Sequence, residues 1–183
     1  MTGTPAARRT LTLFRHGKSS WDDPGRRDHD RPLAPRGRKA VPRISRWIQA
    51  HLPPVDVICV SDARRTRQTL ARAEEAGLEA REPPQVLSEL YLASASRLMK
   101  IVRGFPDGAG HAVLIGHNPG LHELALSLVG SGDDEAVADL ALNLPTAALA
   151  VLTFQVESWR AVQPGDATLS HFVAPRKLKA GDR

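Results

Sequence analysis

Residues 11–21 read Leu11-Thr12-Leu13-Phe14-Arg15-His16-Gly17-Lys18-Ser19-Ser20-Trp21, and two phosphate signatures overlap in them. Gly17-Lys18-Ser19 is the ending of a nucleotide-binding P-loop. Arg15-His16-Gly17 is the arginine–histidine pair of an enzyme that carries phosphate on a histidine. The apolar run over 10–15 predicts a strand, so both readings put the chemistry where that strand ends. A P-loop needs another glycine five residues before the glycine of its GKS, so that successive backbone N–H groups can wrap the phosphates. That position is Thr12, inside the strand. The P-loop reading fails.

Further along, Cys59 and Arg65-Thr66 repeat the cysteine-x5-arginine-threonine spacing of phosphatases that use a thiolate. The intervening loop has no glycine, and Asp62 would put a negative charge inside the anion cradle. Cys59 lies between Ile58 and Val60, where burial favours the inert thiol. The histidine reading survives, because two other segments have the same address as Arg15 and His16. Ser61-Asp62-Ala63-Arg64-Arg65 follows a predicted strand at 55–60 and opens a helix. Gly116-His117-Asn118-Pro119-Gly120 follows another at 112–116 and opens a second helix, with Pro119 suited to the first helical position. Histidines and arginines therefore arrive together at strand ends, beside helix N-termini whose free N–H groups favour anions.

The chemistry asks for these residue types. A neutral imidazole is a competent nucleophile toward phosphorus. Charge in phosphoryl transfer spreads over three equatorial oxygens, so stabilisation has to come from several directions. Two guanidiniums offer planar, permanently charged forks, and a protonated second histidine adds a donor. Preorganised donors of this kind each lower the barrier by about 3 kcal/mol. No metal or cofactor is implied: there is no HExxH, no carboxylate cluster, and His117 and His122 are five apart.

A chain of 183 residues suits one domain, and 42% hydrophobic with 25% charged residues are globular values. No apolar run is long enough to span a membrane, and Met1 to Arg9 lack the apolar core of a signal peptide. One cysteine excludes an internal disulfide framework. A cytoplasmic protein is expected. The net charge of +5 is uneven: residues 1–46 carry +8 and the rest −3, which is either a solvated basic face or the mark of an anionic partner. Aromatic residues at 4% argue against a nucleic-acid surface.

Strands are expected at 10–15, 55–60, 112–116, 147–154 and 168–173, with the last two pairing antiparallel at or near one edge. Apolar stripes through Ile44, Trp47 and Ile48, through Leu70 and Ala73, through Leu98, Val102 and Phe105, and through Leu121, Leu124 and Leu128 predict helices between them. Pro42 should kink or restart the first of these. Loops are expected at 22–36, 104–110 and 130–135. The alternation predicts an α/β fold, a three-layer α/β/α sandwich around a mostly parallel central sheet. Residues 1–9 are read as a flexible N-terminus, 10–175 as the domain and 176–183 as a C-terminal tail, with Ala174 to Arg183 expected to be a mobile end.

Taken together, these motifs resemble the histidine phosphatase superfamily, the phosphoglycerate mutase-like proteins, and within it the SixA-type phosphohistidine phosphatases. The resemblance runs over most of 10–175. It rests on Phe14-Arg15-His16-Gly17 with Lys18 to Asp22, on Asp30-Arg31-Pro32-Leu33 with Gly37, and on Ser61-x3-Arg65-x2-Gln68-Thr69. It continues in Leu87-x-Glu89-Leu90-Tyr91, Gly116-His117-Asn118-Pro119-Gly120 and Leu144-Pro145-Thr146. It implies that His16 is the phosphorylated nucleophile, that Arg15 and Arg65 hold the phosphoryl oxygens, and that His117 is the second histidine of the core. Glu89 stands where relatives acting on esters keep a general acid, but the glycine-rich stretch after it is missing, and a surface or capping carboxylate is an equal reading. Lys18, Ser19 and Asn118 are candidate substrate contacts, Lys18 reading equally as a solvated side chain. Asp22 replaces the asparagine with which the mutases bind substrate.

The function implied is a metal-independent phosphatase working through a phosphohistidine intermediate, with phosphohistidine on a signalling protein as substrate. Its imidazole leaves far more readily than an alkoxide, which suits a site with a weak general acid. A small phosphate monoester is the alternative substrate. A non-catalytic phosphate- or nucleic-acid-binding module is the third reading, against which the intact quartet of Arg15, His16, Arg65 and His117 argues.

Overall fold

Strand β1 (Ala7–Arg15) carries the opening stretch into the middle of a seven-stranded sheet, in a computed structural model that describes residues 6–178. It is followed by α1 (Pro35–His51), β2 (Val57–Ser61), α2 (Arg64–Glu75), β3 (Gln85–Leu87) and α3 (Ala95–Arg103). Then come β4 (His111–Gly116), α4 (Gly120–Leu128), β5 (Val129–Gly132), α5 (Asp134–Leu142), β6 (Leu149–Val156) and β7 (Ala167–Val173). The sheet order is β3-β2-β4-β1-β6-β7-β5. Strand β6 alone runs against the others, pairing antiparallel with β1 and β7, so the sheet is mostly parallel.

The central strands read as unbroken apolar runs because both of their faces are covered. Leu11, Leu13, Ala112 and Leu114 join a core with Leu98, Val102, Leu121, Leu124 and Leu140, from α3, α4 and α5. Phe14, Ile58, Val60, Val113 and Ile115 join a second core with Val41, Ile44, Trp47, Ile48 and Leu70, from α1 and α2. Helices thus lie on both faces, giving the three layers and the phosphoglycerate mutase-like α/β fold.

Several expectations are corrected. Strand β1 begins at Ala7 rather than residue 10, because Arg8 and Arg9 pair with Gln155 and Phe154 of β6. The Arg9 guanidinium is itself tied down, donating to the carbonyls of Asp107, Ala109 and Glu157. The rest of the predicted flexible start, residues 1–5, lies outside the described residues. Helix α1 runs through Pro42 without restarting. Val41, Ile44 and Ile48 are buried around the proline, and that packing outweighs the hydrogen bond the proline cannot donate.

The region expected as a loop from 130 contains β5, with α5 directly after it. Its pairing is a backbone effect: a Cβ on Gly130 would come within 1.9 Å of the Gly165 carbonyl oxygen, an approach only glycine allows. The tail is also held down as far as it is described. Ala174 is buried, Lys177 pairs with Asp139 and Glu135, and Arg43 donates to the Leu178 carbonyl at 3.0 Å. Residues 179–183 of the predicted tail lie outside the described residues. Among the described residues no helix is long and apolar enough to cross a membrane.

Candidate active site

Three neighbouring strands deliver the four residues that the sequence singles out. Arg15 ends β1 and His16 follows it, His117 follows β4, and Arg65 is the second residue of α2 after β2. The turn at His16 is pinned from three sides. The His16 N–H donates to the Gly116 carbonyl at 3.2 Å, joining the two histidine-bearing strand ends. The Ala147 N–H lies 3.1 Å from the Arg15 carbonyl and 3.0 Å from that of His16. Ala147 does this at φ 61°, a left-handed backbone that a residue with a Cβ adopts only when its surroundings hold it. The Gly17 N–H donates to Thr69 Oγ1 at 3.1 Å, and that hydroxyl donates to the Arg65 carbonyl at 2.7 Å. The helix carrying one arginine is thereby locked to the turn carrying the histidine.

The imidazole rings of His16 and His117 lie 5.2 Å apart between centroids, with Arg65 between them. His16 Nδ1 is 2.7 Å from the Gly17 carbonyl, and its Nε2 accepts from Arg65 Nε at 3.3 Å. A carbonyl only accepts and a guanidinium only donates, so Nδ1 carries the hydrogen and Nε2 the lone pair. The same logic applies to His117. Its Nδ1 accepts from Arg65 at 3.2 Å, and its Nε2–H donates to Ser61 Oγ at 2.8 Å. Burial lowers the pKa of both imidazoles to about 3, reinforced at His16 by Arg65 and Arg15 and at His117 by His16 and Arg65. Both rings are neutral near pH 7.

Arg15 donates through one terminal nitrogen to the Leu144 carbonyl at 2.9 Å, while its Nε is buried without a partner among the described residues. Asn118 Nδ2 donates to the same carbonyl at 3.0 Å. Arg65, 3% exposed, points the rest of its fork at one residue, Asp28. One terminal nitrogen donates to the Asp28 carbonyl at 2.6 Å, and the other donates to Oδ2 at 3.0 Å. Tyr91 donates its hydroxyl to Oδ2 at 2.6 Å, and Arg31 Nε donates to Oδ1 at 3.0 Å. Against a desolvation effect that acts the other way, Tyr91 and the two arginines hold the Asp28 carboxyl at a pKa of about 2.

The structure brings Arg15, His16, Arg65 and His117 together with Asn118. It does not bring Glu89 to them. The short 3-10 turn Ser88–Leu90 directs Glu89 outward, where it is about half exposed and pairs with Arg97 at 3.4 Å. Lys18 is exposed and lines a separate small cavity with Arg36, Thr146 and Arg176. Ser19 is buried, and its backbone forms a bridge with Leu33. Cys59 packs in the core under α3 and α4, with burial raising its thiol pKa to about 11.

Reading the sequence missed Asp28 and Tyr91 as members of the site, and gave Ser61 and Thr69 no role beyond the pattern. Tyr91 belonged to a quoted motif, and its ring lies edge-on 5.5 Å from that of His117. Asp28 carried no signal of its own in the acidic and basic stretch Asp22 to Arg31.

Residues 11–98 match the sequence model of the histidine phosphatase superfamily, branch 1. An uncharacterised protein of Mycobacterium tuberculosis is 38% identical over 165 residues, covering 89% of this chain and 100% of its own length. Among solved structures, a candidate phosphohistidine phosphatase SixA from Nakamurella multipartitia is 32% identical with a TM-score of 0.80, over 93% of this chain and 98% of that one. A candidate SixA from Agrobacterium tumefaciens is 27% identical with a TM-score of 0.74, over 91% and 99%. Fold, strand-end histidines and relatives agree, and the chain belongs to the histidine phosphatase superfamily and is a phosphatase. Within the superfamily it is of the SixA type.

Proposed function

We propose that the protein removes phosphate from phosphohistidine on a signalling protein, through a phosphoryl group carried on His16 Nε2. The Nε2 lone pair attacks phosphorus while the P–N bond of the substrate breaks, and the departing imidazole nitrogen takes a proton from solvent. Water then attacks the phosphorylated His16, the Nε2–P bond breaks, and inorganic phosphate leaves. Arg15, with a buried N–H awaiting an acceptor, and Arg65 supply donors to the equatorial oxygens without need of a metal. An arriving phosphoryl dianion favours the protonated form of His117, turning its Nδ1 from acceptor to donor.

The observation that carries phosphohistidine over an ester is the state of Asp28. It is the carboxylate hydrogen-bonded to the quartet, and at a pKa of about 2 it holds no proton to give to a departing alkoxide near neutrality. Glu89 faces away toward Arg97. An imidazole leaving group tolerates that lack. The likeness to the SixA candidates supports the same choice.

One preparation, assayed on a phosphohistidine relay domain, phosphotyrosine, sugar phosphates and nucleotides, tests the reading. We expect kcat/KM for the phosphohistidine protein to exceed the monoesters by about 100-fold or more. A nucleotide or sugar phosphate hydrolysed faster would replace it with a small-ester phosphatase.

A further inference from the structure

We propose that Asp28 is a positioning residue acting through Arg65: its carboxylate takes donors that a phosphoryl group would use, and it competes with product phosphate for them. The inference rests on reading the quartet as a phosphoryl site. It goes beyond that reading by giving the site a built-in competitor.

The geometry is that of an anion in a cradle. The two carboxylate oxygens accept from Arg65, Arg31 and the Tyr91 hydroxyl, at 3.0, 3.0 and 2.6 Å. Two planar forks and a hydroxyl are the donor set that recognises two oxygens of a phosphoryl group. The Arg65 nitrogen bonded to Oδ2 also donates to His117 Nδ1 at 3.2 Å, so the carboxylate borders the space between the two histidines. An anion there meets Asp28 twice, as a rival acceptor and as a like charge.

The placement also fits exchange better than a fixed clamp. Arg65 is rigidly held, 3% exposed, with its main chain tied through Thr69 to Gly17. Asp28 is 44% exposed and opens a three-residue 3-10 turn, Asp28–Asp30, in the connection between β1 and α1. The buried partner stays while the exposed partner can withdraw. Asp28 holds Arg65 aligned and facing His16. When phosphate forms, the same carboxylate is waiting to recover Arg65, which favours release. Tight-binding product is the usual penalty of a cradle with several cations, and an internal anion lowers it without weakening the donors themselves.

A structural clamp and an internal competitor predict opposite signs. Asp28→Asn keeps the shape and an acceptor oxygen but removes the charge. Calorimetric titration with inorganic phosphate should then show binding about 10-fold tighter than in the unaltered protein, as expected when a competing state is removed. Unchanged or weaker phosphate binding in a folded Asp28→Asn protein would overturn the proposal. A crystal structure of the unaltered chain with tungstate needs no variant. We expect the oxyanion between His16 and His117 with the Asp28 carboxylate withdrawn from Arg65. Tungstate bound there with the Asp28–Arg65 pair intact would overturn the proposal alone, whereas no anion bound at the quartet would overturn it together with the reading of the site.

Discussion

Arg65 is the residue on which most of the site converges. Its Nε touches His16 Nε2, one terminal nitrogen is shared between Asp28 and His117, and its carbonyl is tied to the turn after His16. Arg65→Lys keeps a charge but loses the planar fork, and kcat/KM should fall about 100-fold or more in a protein that still folds. A loss within about threefold, well below the worth of one preorganised donor, would mean that Arg65 is not a donor in the transition state. Cys59 makes the complementary case. Buried and with its pKa raised to about 11, it has no thiolate to offer. Cys59→Ser should leave kcat/KM within about twofold while lowering stability by about 1–2 kcal/mol, the cost of putting a hydroxyl in an apolar core. A folded, inactive Cys59→Ser protein would revive the thiolate mechanism that the sequence argued against. The depressed histidine pKa values have their own consequence for rate. His16 keeps its lone pair down to about pH 3, so kcat/KM, corrected for substrate ionisation, should show no acid limb near the ordinary histidine value. A limb near pH 6.5 would place His16 in a more solvated setting than this one.

At the scale of elements, the site depends on how tightly α1 presses on the turn after β1. The Ala34 N–H donates to the Lys18 carbonyl at 2.8 Å, and a Cβ on Gly37 would sit 2.3 Å from that oxygen. Backbone has no flexible end to yield, so Gly37→Ala must push the helix off the turn that carries His16. We expect Gly37→Ala to lower the melting temperature by several degrees, a loss of roughly 1–3 kcal/mol, and to reduce kcat as well. Thermal melts and steady-state kinetics on one preparation check it, and a wild-type melting temperature would show that the contact has slack. The same scale shows what could be read without coordinates. The strands that carry His16, Arg65 and His117 were legible because burial on both faces makes them continuous apolar runs ending in charged residues. Strand β3, with Gln85 and Val86 exposed, and β5, with its glycines, have no such run to mark them. Asp28 was illegible for a related reason. Its role comes from where the loop falls against α2, and nothing in the local spacing of five charged residues and a histidine over Arg26 to Arg31 records that.

For the whole molecule, the two buried imidazoles of the proposed site also bear on folding. Each is neutral in the folded chain, with a pKa of about 3, and returns toward 6.5 when unfolded. The unfolded chain therefore takes up more protons between those values, and stability present above pH 6.5 is lost as pH falls toward 3. Asp28, held at about 2 against an ordinary 3.8, adds a later loss confined to the range below its unfolded value. Denaturant unfolding followed from pH 7 to pH 4 should show a decline that His16→Asn with His117→Asn largely removes, and an equal decline in the double variant would place its origin elsewhere. The sheet matters here because it is what excludes water from both rings while leaving Nε2 of His16 pointed at a cation. That arrangement makes a definite chemical claim, that phosphorus becomes bonded to one nitrogen during turnover. Rapid quenching of the protein with phosphorus-labelled substrate tests it most directly. The account predicts a label that is stable to alkali, lost in acid, and located on His16. Full activity in a folded His16→Ala protein, or a label on Cys59, would contradict it.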